Sequence, residues 1–377
     1  MKDAAPAPLA ELPTDSGRHN SFTFLRLGFA LAVVVAHSFT LGGWGFDPVN
    51  SFTRGHAHLG VVAVLCFFVA SGYMIAQSIT RHPSIARFFL HRVARIIPGF
   101  TVNLLLTVFV LVPVVLAWTL PGQQTWTELL TYGPQSAMDY LAANWKIRIV
   151  QYDVSSFAHN VPFPLTVNGS MWSLWPEVVC YGYLALFSVL RLLRFRSVIL
   201  ALFVILYFVQ VFVYNSSPDD HGRFSVSRWG YLFLGEPHHR AVFLAFMAGV
   251  VCWVCRDRLP AKHLWAGLAA TILLFAAYVG LWRFAWPFTL PYLVIYLAAR
   301  LPFRNWERWG DFSYGIYIYA FPLQQALAAA GLHQQGLLAY MAASLALATG
   351  AGWASWHGVE RPCLRGIRTV LRKWNLE

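Results

Sequence analysis

Hydrophobic residues come in long blocks along this chain, separated by short polar or aromatic connections. Runs of about 17–25 apolar residues have the length of membrane-crossing helices. Ten such runs are legible, at about 22–42, 58–80, 98–119, 171–190, 197–214, 240–256, 263–282, 285–300, 312–331 and 337–357. The first is too long for a cleaved leader, and no small-residue cleavage site follows it. The pattern predicts an all-α integral membrane protein with about ten transmembrane helices in one bundle. Residues 1–21 read as a disordered tail, 22–358 as the membrane domain and 359–377 as a basic tail. Trp and Tyr cluster near the ends of the runs, as interfacial belts do.

Composition agrees with this reading: 58% of residues are hydrophobic, 12% are charged, and the mean hydropathy is +0.53. A soluble domain has about 25% charged residues. The net charge of +12 would suggest nucleic acid in a soluble protein, but its distribution gives another reason. With both termini cytoplasmic, 20 Lys/Arg fall on inner segments and 7 on outer ones, with Arg26 inside the first helix. That asymmetry sets orientation and needs no nucleic-acid partner. The five cysteines lie mostly in apolar runs, so Cys252 and Cys255 read as packing residues rather than half of a zinc site. No internal repeat of the kind found in many secondary transporters is visible.

Against this apolar background the ionisable residues stand out. Arg26 and His37 lie in the first run with ten residues between them. Eleven helical steps end about 20° past three full turns, so both side chains share one face, about 16 Å apart. Arg26 is near the helix start and can snorkel; His37 is deep, where an ionisable group marks a functional site by default. Arg92 and Arg95 in HRVARIIP are three apart and would share a helix face. Planar guanidinium groups suit phosphate, although basic inner loops also serve topology and anionic lipid. Glu177, in WSLWPE after Trp172 and Ser173, opens the fourth run. It lies in the outer half of the membrane, as His37 does. A His–carboxylate pair there makes a general base with an orienting group, or else a buried ion pair that fixes register. Asp311 and Tyr314, in DFSYGIY, open the ninth run, where an acidic residue caps a helix. Ser71-Gly72-Tyr73 allows close helix approach. Two long outer connections, 120–170 and 215–239, carry aromatic residues and an acid/His group that includes Asp219, Asp220, His221 and Glu236. No spacing there matches a metal site, and none is expected.

Six of these segments, in order, resemble the acyltransferase-3 family of membrane O-acyltransferases. They are Arg26-x10-His37, FFVASGYMI at 67–75, Arg92-x-x-Arg95 before Pro98, WSLWPE at 172–177, DFSYGIYIYAFP at 311–322, and Glu360-Arg361-Pro362. The resemblance implies transfer of an acyl group, commonly acetyl from acetyl-CoA, to a sugar hydroxyl of an envelope polysaccharide, lipid-linked glycan or similar glycoconjugate. It assigns function to Arg26, His37, Arg92 and Arg95. We expect His37 as general base, with Arg26 and Glu177 beside it, and Arg92, Arg95, Ser71 and Tyr73 on the side of the acyl-CoA donor. Trp172, Ser173, Asp311 and Tyr314 are expected to meet the acceptor. No nucleophilic Ser or Cys is evident, which favours direct transfer. The family often carries a fused extracytoplasmic hydrolase-like domain; the sequence stops shortly after its last run, so the membrane domain itself or a partner would complete the transfer. The expected partners are acyl-CoA, a saccharide acceptor and lipid, with a homo-oligomer possible. The expected location is the bacterial inner membrane. The rival reading is a proton-coupled transporter using the buried His, Arg and Glu.

Overall fold

A computed structural model describes residues 20–119, 125–131, 135–154, 157, 160–215 and 237–374. The expected tail at 1–21 lies outside these residues except for its last two, as do Asp219, Asp220, His221 and Glu236. Among the described residues the chain is helical and has no strands.

Each of the ten apolar runs contains a helix. These are α1 (Phe22–Leu41), α2 (Leu59–Arg81), α3 (Ile85–Leu106), α4 (Leu174–Val189), α5 (Arg196–Asn215), α6 (Pro237–Val254), α7 (His263–Tyr278), α8 (Trp282–Arg300), α9 (Ser313–Ala329) and α10 (Leu337–Ser355). By length and composition, four helical segments are long and apolar enough to cross a membrane: 22–41, 59–81, 85–119 and 337–373. The sixteen residues of α7 rise about 24 Å, short of a hydrocarbon core of about 30 Å. On α7 only Ala276 and Ala277 are buried, while Leu264, Leu268, Ile272 and Phe275 are exposed. A helix so apolar on its outer surface is suited to lipid.

Two boundaries differ from the pattern. Helix α3 begins at Ile85, not near 98, and runs through Pro98 and a π-helical turn, Thr107–Leu111, into Val112–Thr119. Arg92 and Arg95 are therefore helical and not in a connecting loop. Likewise α10 passes through a second π-helical turn, Trp356–Glu360, into a helix at Arg361–Lys373. The expected basic tail from 359 continues that helix as far as Lys373, with Arg361, Arg365, Arg368, Arg372 and Lys373 along it. Hydrophobicity alone misplaces both ends, because a helix continues as long as its backbone bonds propagate.

The chain divides into two compact units. One comprises the described residues of 1–29, 48–85 and 176–310. There α2 and α6 lie unusually close: a Cβ on Gly72 would sit 2.1 Å from the Phe246 carbonyl oxygen, and one on Gly249 would sit 2.1 Å from that of Val69. The Ser71-Gly72-Tyr73 segment thus serves close helix approach, as small residues do in membranes. The start of α1 is tied down by Ser21, whose N–H and hydroxyl donate to the carbonyls of Ala298 (2.9 Å) and Leu301 (2.8 Å). The other unit comprises 30–47, the described residues of 86–175, and 311–374. Its centre is α9, whose residues Ser313–Pro322 are all buried.

Candidate active site

Helix α9 carries polar groups at three levels. At its N-terminal end Arg95 of α3 meets two carboxylates. Its Nη1 donates to Glu360 Oε2 at 2.8 Å, and its Nη2 lies 2.9 Å from Asp311 Oδ2 and donates to the Asp311 carbonyl at 3.0 Å. Glu360 is fully buried, and its other oxygen accepts from Ser355 Oγ at 3.0 Å. The guanidinium also lies 5.7 Å from the Tyr314 ring centroid and 5.3 Å from that of Trp356, within cation–π range. The Tyr314 hydroxyl donates to the Ile96 carbonyl at 2.9 Å. Asp311 does not cap α9, because Phe312 occupies the N-cap without a side-chain bond. Asp311 instead accepts from Ser313 Oγ and binds Arg95. Arg92, one turn before Arg95, is half-buried, with its guanidinium 6.0 Å from the Phe88 ring centroid.

The middle level follows from Pro322. Proline has no N–H, so the Ile318 carbonyl four residues earlier loses its helical donor. Two asparagines supply it: Asn168 Nδ2 at 2.9 Å and Asn103 Nδ2 at 3.1 Å. On the residue before Ile318, the Tyr317 hydroxyl donates to the Ser170 carbonyl at 2.8 Å and lies 2.7 Å from Ser173 Oγ, which then donates to it. Ser173 is thus occupied inside the fold, while Trp172 beside it is half-buried.

At the third level His37 of α1 packs edge-on against Phe321, with centroids 5.1 Å apart at 76°. Phe163 meets the same ring at 6.2 Å. A Cβ on Gly169 would sit 2.7 Å from that ring, so only glycine leaves it room. Gln324 Nε2 donates to the Val34 carbonyl and to Ser38 Oγ, both at 3.0 Å. Gln325 Nε2 donates to the carbonyls of Phe163 (2.8 Å) and Thr166 (2.7 Å). His37 Nδ1 is shielded from solvent and has no hydrogen-bond partner among the described residues. A buried imidazole nitrogen is a costly group to leave unmatched unless something else meets it.

The remaining expected site residues belong to the first unit. Arg26 lies with its guanidinium 6.0 Å from the Phe67 ring centroid of α2. Tyr73 is buried between Phe22 (5.7 Å) and Trp253 (5.5 Å, edge-on), and Ser71 is half-buried two residues before it. Glu177 accepts a hydrogen bond from Tyr181, one turn along α4. No group of three or more His, Cys, Asp or Glu able to hold a metal occurs among the described residues. Beside the two π-helical turns is a cavity of about 380 Å³, bordered by Leu106, Thr107, Leu111, Tyr319, Ser355 and Val359. Such turns recur at functional sites.

Phe321, Gln324, Gln325 and Ser170 were not among the residues expected from the sequence. Two adjacent glutamines inside an apolar run, just after a proline, were the available signal.

The acyltransferase domain family matches residues 19–357. The chain belongs to the acyltransferase-3 family. It is an acyltransferase, and the match extends across all ten helices. It is 26% identical over 324 residues to an O-acetyl transferase of Shigella phage Sf6, covering 82% of this chain and 86% of that protein. It is 27% identical over 372 residues to nodulation protein 10 of Rhizobium leguminosarum bv. viciae, covering 94% of this chain and 96% of that one. No solved structure matches.

Proposed function

We propose that this membrane acyltransferase moves an acetyl group from cytoplasmic acyl-CoA to a hydroxyl of a sugar in an envelope polysaccharide, lipid-linked glycan or similar glycoconjugate, at the bacterial inner membrane. Family membership supports the reaction class, and the O-acetyl transferase of phage Sf6 supports acetyl as the group and oxygen as the acceptor atom. The observation that carries the mechanism is His37, an imidazole deep in an apolar helix with a shielded Nδ1 that no group among the described residues meets. In this reading His37 takes the proton of the acceptor hydroxyl as its oxygen attacks the thioester carbonyl. The carbon–sulfur bond then breaks, and the CoA thiol leaves with a proton.

Arg92 is assigned to the phosphates of the donor, because Arg offers paired donors to phosphate oxygens. Arg95 already meets Asp311 and Glu360, so we assign it to position the helix turn that carries Arg92. Arg26, three turns from His37 on the same helix, is assigned to the donor arm. This assignment rests on the sequence pattern. The test is a purified-protein assay with radiolabelled acetyl-CoA and envelope glycolipid, comparing wild type with His37→Ala. CoA release and acetyl transfer by wild type alone are expected; equal rates in the variant would remove His37 from the mechanism.

A further inference from the structure

Besides His37 Nδ1, three polar atoms on residues around Phe321 are buried without a hydrogen-bond partner: Ser170 Oγ, Gln324 Oε1 and Gln325 Oε1. Gln324 and Gln325 are fully buried and Ser170 is 2% exposed. The amide orientations are fixed by chemistry. The nitrogen of Gln324 faces the Val34 carbonyl, and that of Gln325 faces two carbonyls. Carbonyl oxygens only accept, so neither amide can be turned over. Both Oε1 atoms are therefore acceptors in need of donors.

The residues that carry these atoms surround Phe321, the ring that packs on His37. Gln324 and Gln325 lie three and four residues after Phe321 and so flank it on α9, one turned toward α1 and the other toward Phe163 and Thr166. Phe321 touches His37, and Gln324 holds Val34 and Ser38 on the same stretch of α1. Ser170 follows Gly169, which abuts Phe321. Native interiors leave few such groups unmatched, and a cluster of four marks a place where a ligand or ion belongs.

We propose that Ser170, Gln324 and Gln325 form the subsite that receives the hydroxyls of the acceptor, a sugar-class polyol. This rests on the acyltransferase reading above. Two carbonyl acceptors require O–H or N–H donors and repel phosphate and carboxylate, so the charged end of the donor is excluded. Two oxygens are too few for calcium, which takes six to eight. The rings of Phe321 and Phe163 supply apolar faces beside the polar atoms, the usual composition of a small-molecule site. The hydroxyl to be acylated is thereby held next to His37.

The experiment uses the full chain in phospholipid vesicles, with radiolabelled acetyl-CoA as donor and octyl glucoside, below its micelle concentration, as acceptor probe. Wild type is expected to acetylate the glucoside saturably. Ser170→Ala removes a hydroxyl that bonds to no protein group, so its melting temperature should not fall. Its KM for the glucoside should rise about tenfold, the worth of one hydrogen bond, with KM for acetyl-CoA unchanged. Gln324→Met should raise the glucoside KM at least as much, with some loss of stability because Val34 and Ser38 lose a donor. Unchanged glucoside KM in both variants overturns the proposal and leaves the atoms to structural water. A wild type that releases CoA but acetylates no glucoside also overturns it, while the acyltransferase reading stands. A wild type that neither binds nor turns over acetyl-CoA removes the donor reading, and this inference with it.

Discussion

At the N-terminal end of α9 the guanidinium of Arg95 meets two carboxylates, a backbone carbonyl and two aromatic faces. Three turns further along the same helix, the carbonyl oxygens of Gln324 and Gln325 and Nδ1 of His37 face no donor or acceptor. Both regions bury polar groups in an apolar bundle, and both would cost free energy if left bare. The first is closed: its charges are matched by the chain itself, and it holds α3, α9 and the π-helical turn before Arg361 together. The second is open: among the described residues no group meets these atoms. A saturated cluster serves architecture, whereas an unsaturated one on the same helix is where chemistry can occur.

This contrast can be broken at either end. The largest expected effect is His37→Ala, which should lower acetyl transfer by about 10²–10⁴-fold, the usual range for a general base. Thermal unfolding in detergent should shift far less than activity, because Nδ1 of His37 bonds to no group among the described residues and only its packing on Phe321 is lost. Glu360→Ala should do the reverse. It leaves part of the Arg95 charge buried and unmatched, at a cost of about 3–5 kcal/mol, read as a lower melting temperature and poorer yield of folded protein. If Glu360→Ala melts like wild type, the closed cluster is not structural. Arg92→Ala against Arg95→Ala sharpens the comparison between neighbouring residues. Arg92→Ala should raise KM for acetyl-CoA about tenfold or more, the loss of a charge-assisted bond; Arg95→Ala should lower stability, because it strips the buried Glu360 of its guanidinium. The smallest effect is expected for Ser355→Ala, which removes one of the bonds to Glu360 and should cost about 1 kcal/mol, seen only as a modest shift in melting temperature.

Gly169 abuts Phe321 in the second region. An added methyl at 2.7 Å from the Phe321 ring must push that ring, and the ring carries His37 on its other contact. Gly169→Ala should therefore reduce transfer more than it reduces stability, a split that comparing kcat with melting temperature would reveal.

Much of the molecule was legible in the chain itself. Apolar blocks located ten helices, because burying a helix in lipid requires a continuous apolar stretch, and that is a property of consecutive residues. The same logic singled out His37 and Arg26, since an ionisable residue inside such a stretch is anomalous wherever its neighbours lie. The run of motifs from Arg26 to Pro362 gave the family, which the match over residues 19–357 establishes. Helix ends were less legible. The run expected from about 98 begins at Ile85, because a proline and two arginines do not stop a helix that neighbours support.

The partners of the polar residues were decided only in three dimensions. Arg95 looked like one of two equivalent phosphate ligands, yet Asp311 and Glu360, 216 and 265 residues away, claim it. Asp311 looked like a helix cap and is an ion-pair partner. That Asn103 and Asn168 replace the donor missing at Pro322 follows from proline chemistry once the fold brings them there, but nothing in the sequence says which residues will arrive. Periodicity and hydropathy are local and are written in neighbouring residues. Hydrogen-bond matching joins side chains from distant segments, and so belongs to the tertiary structure alone.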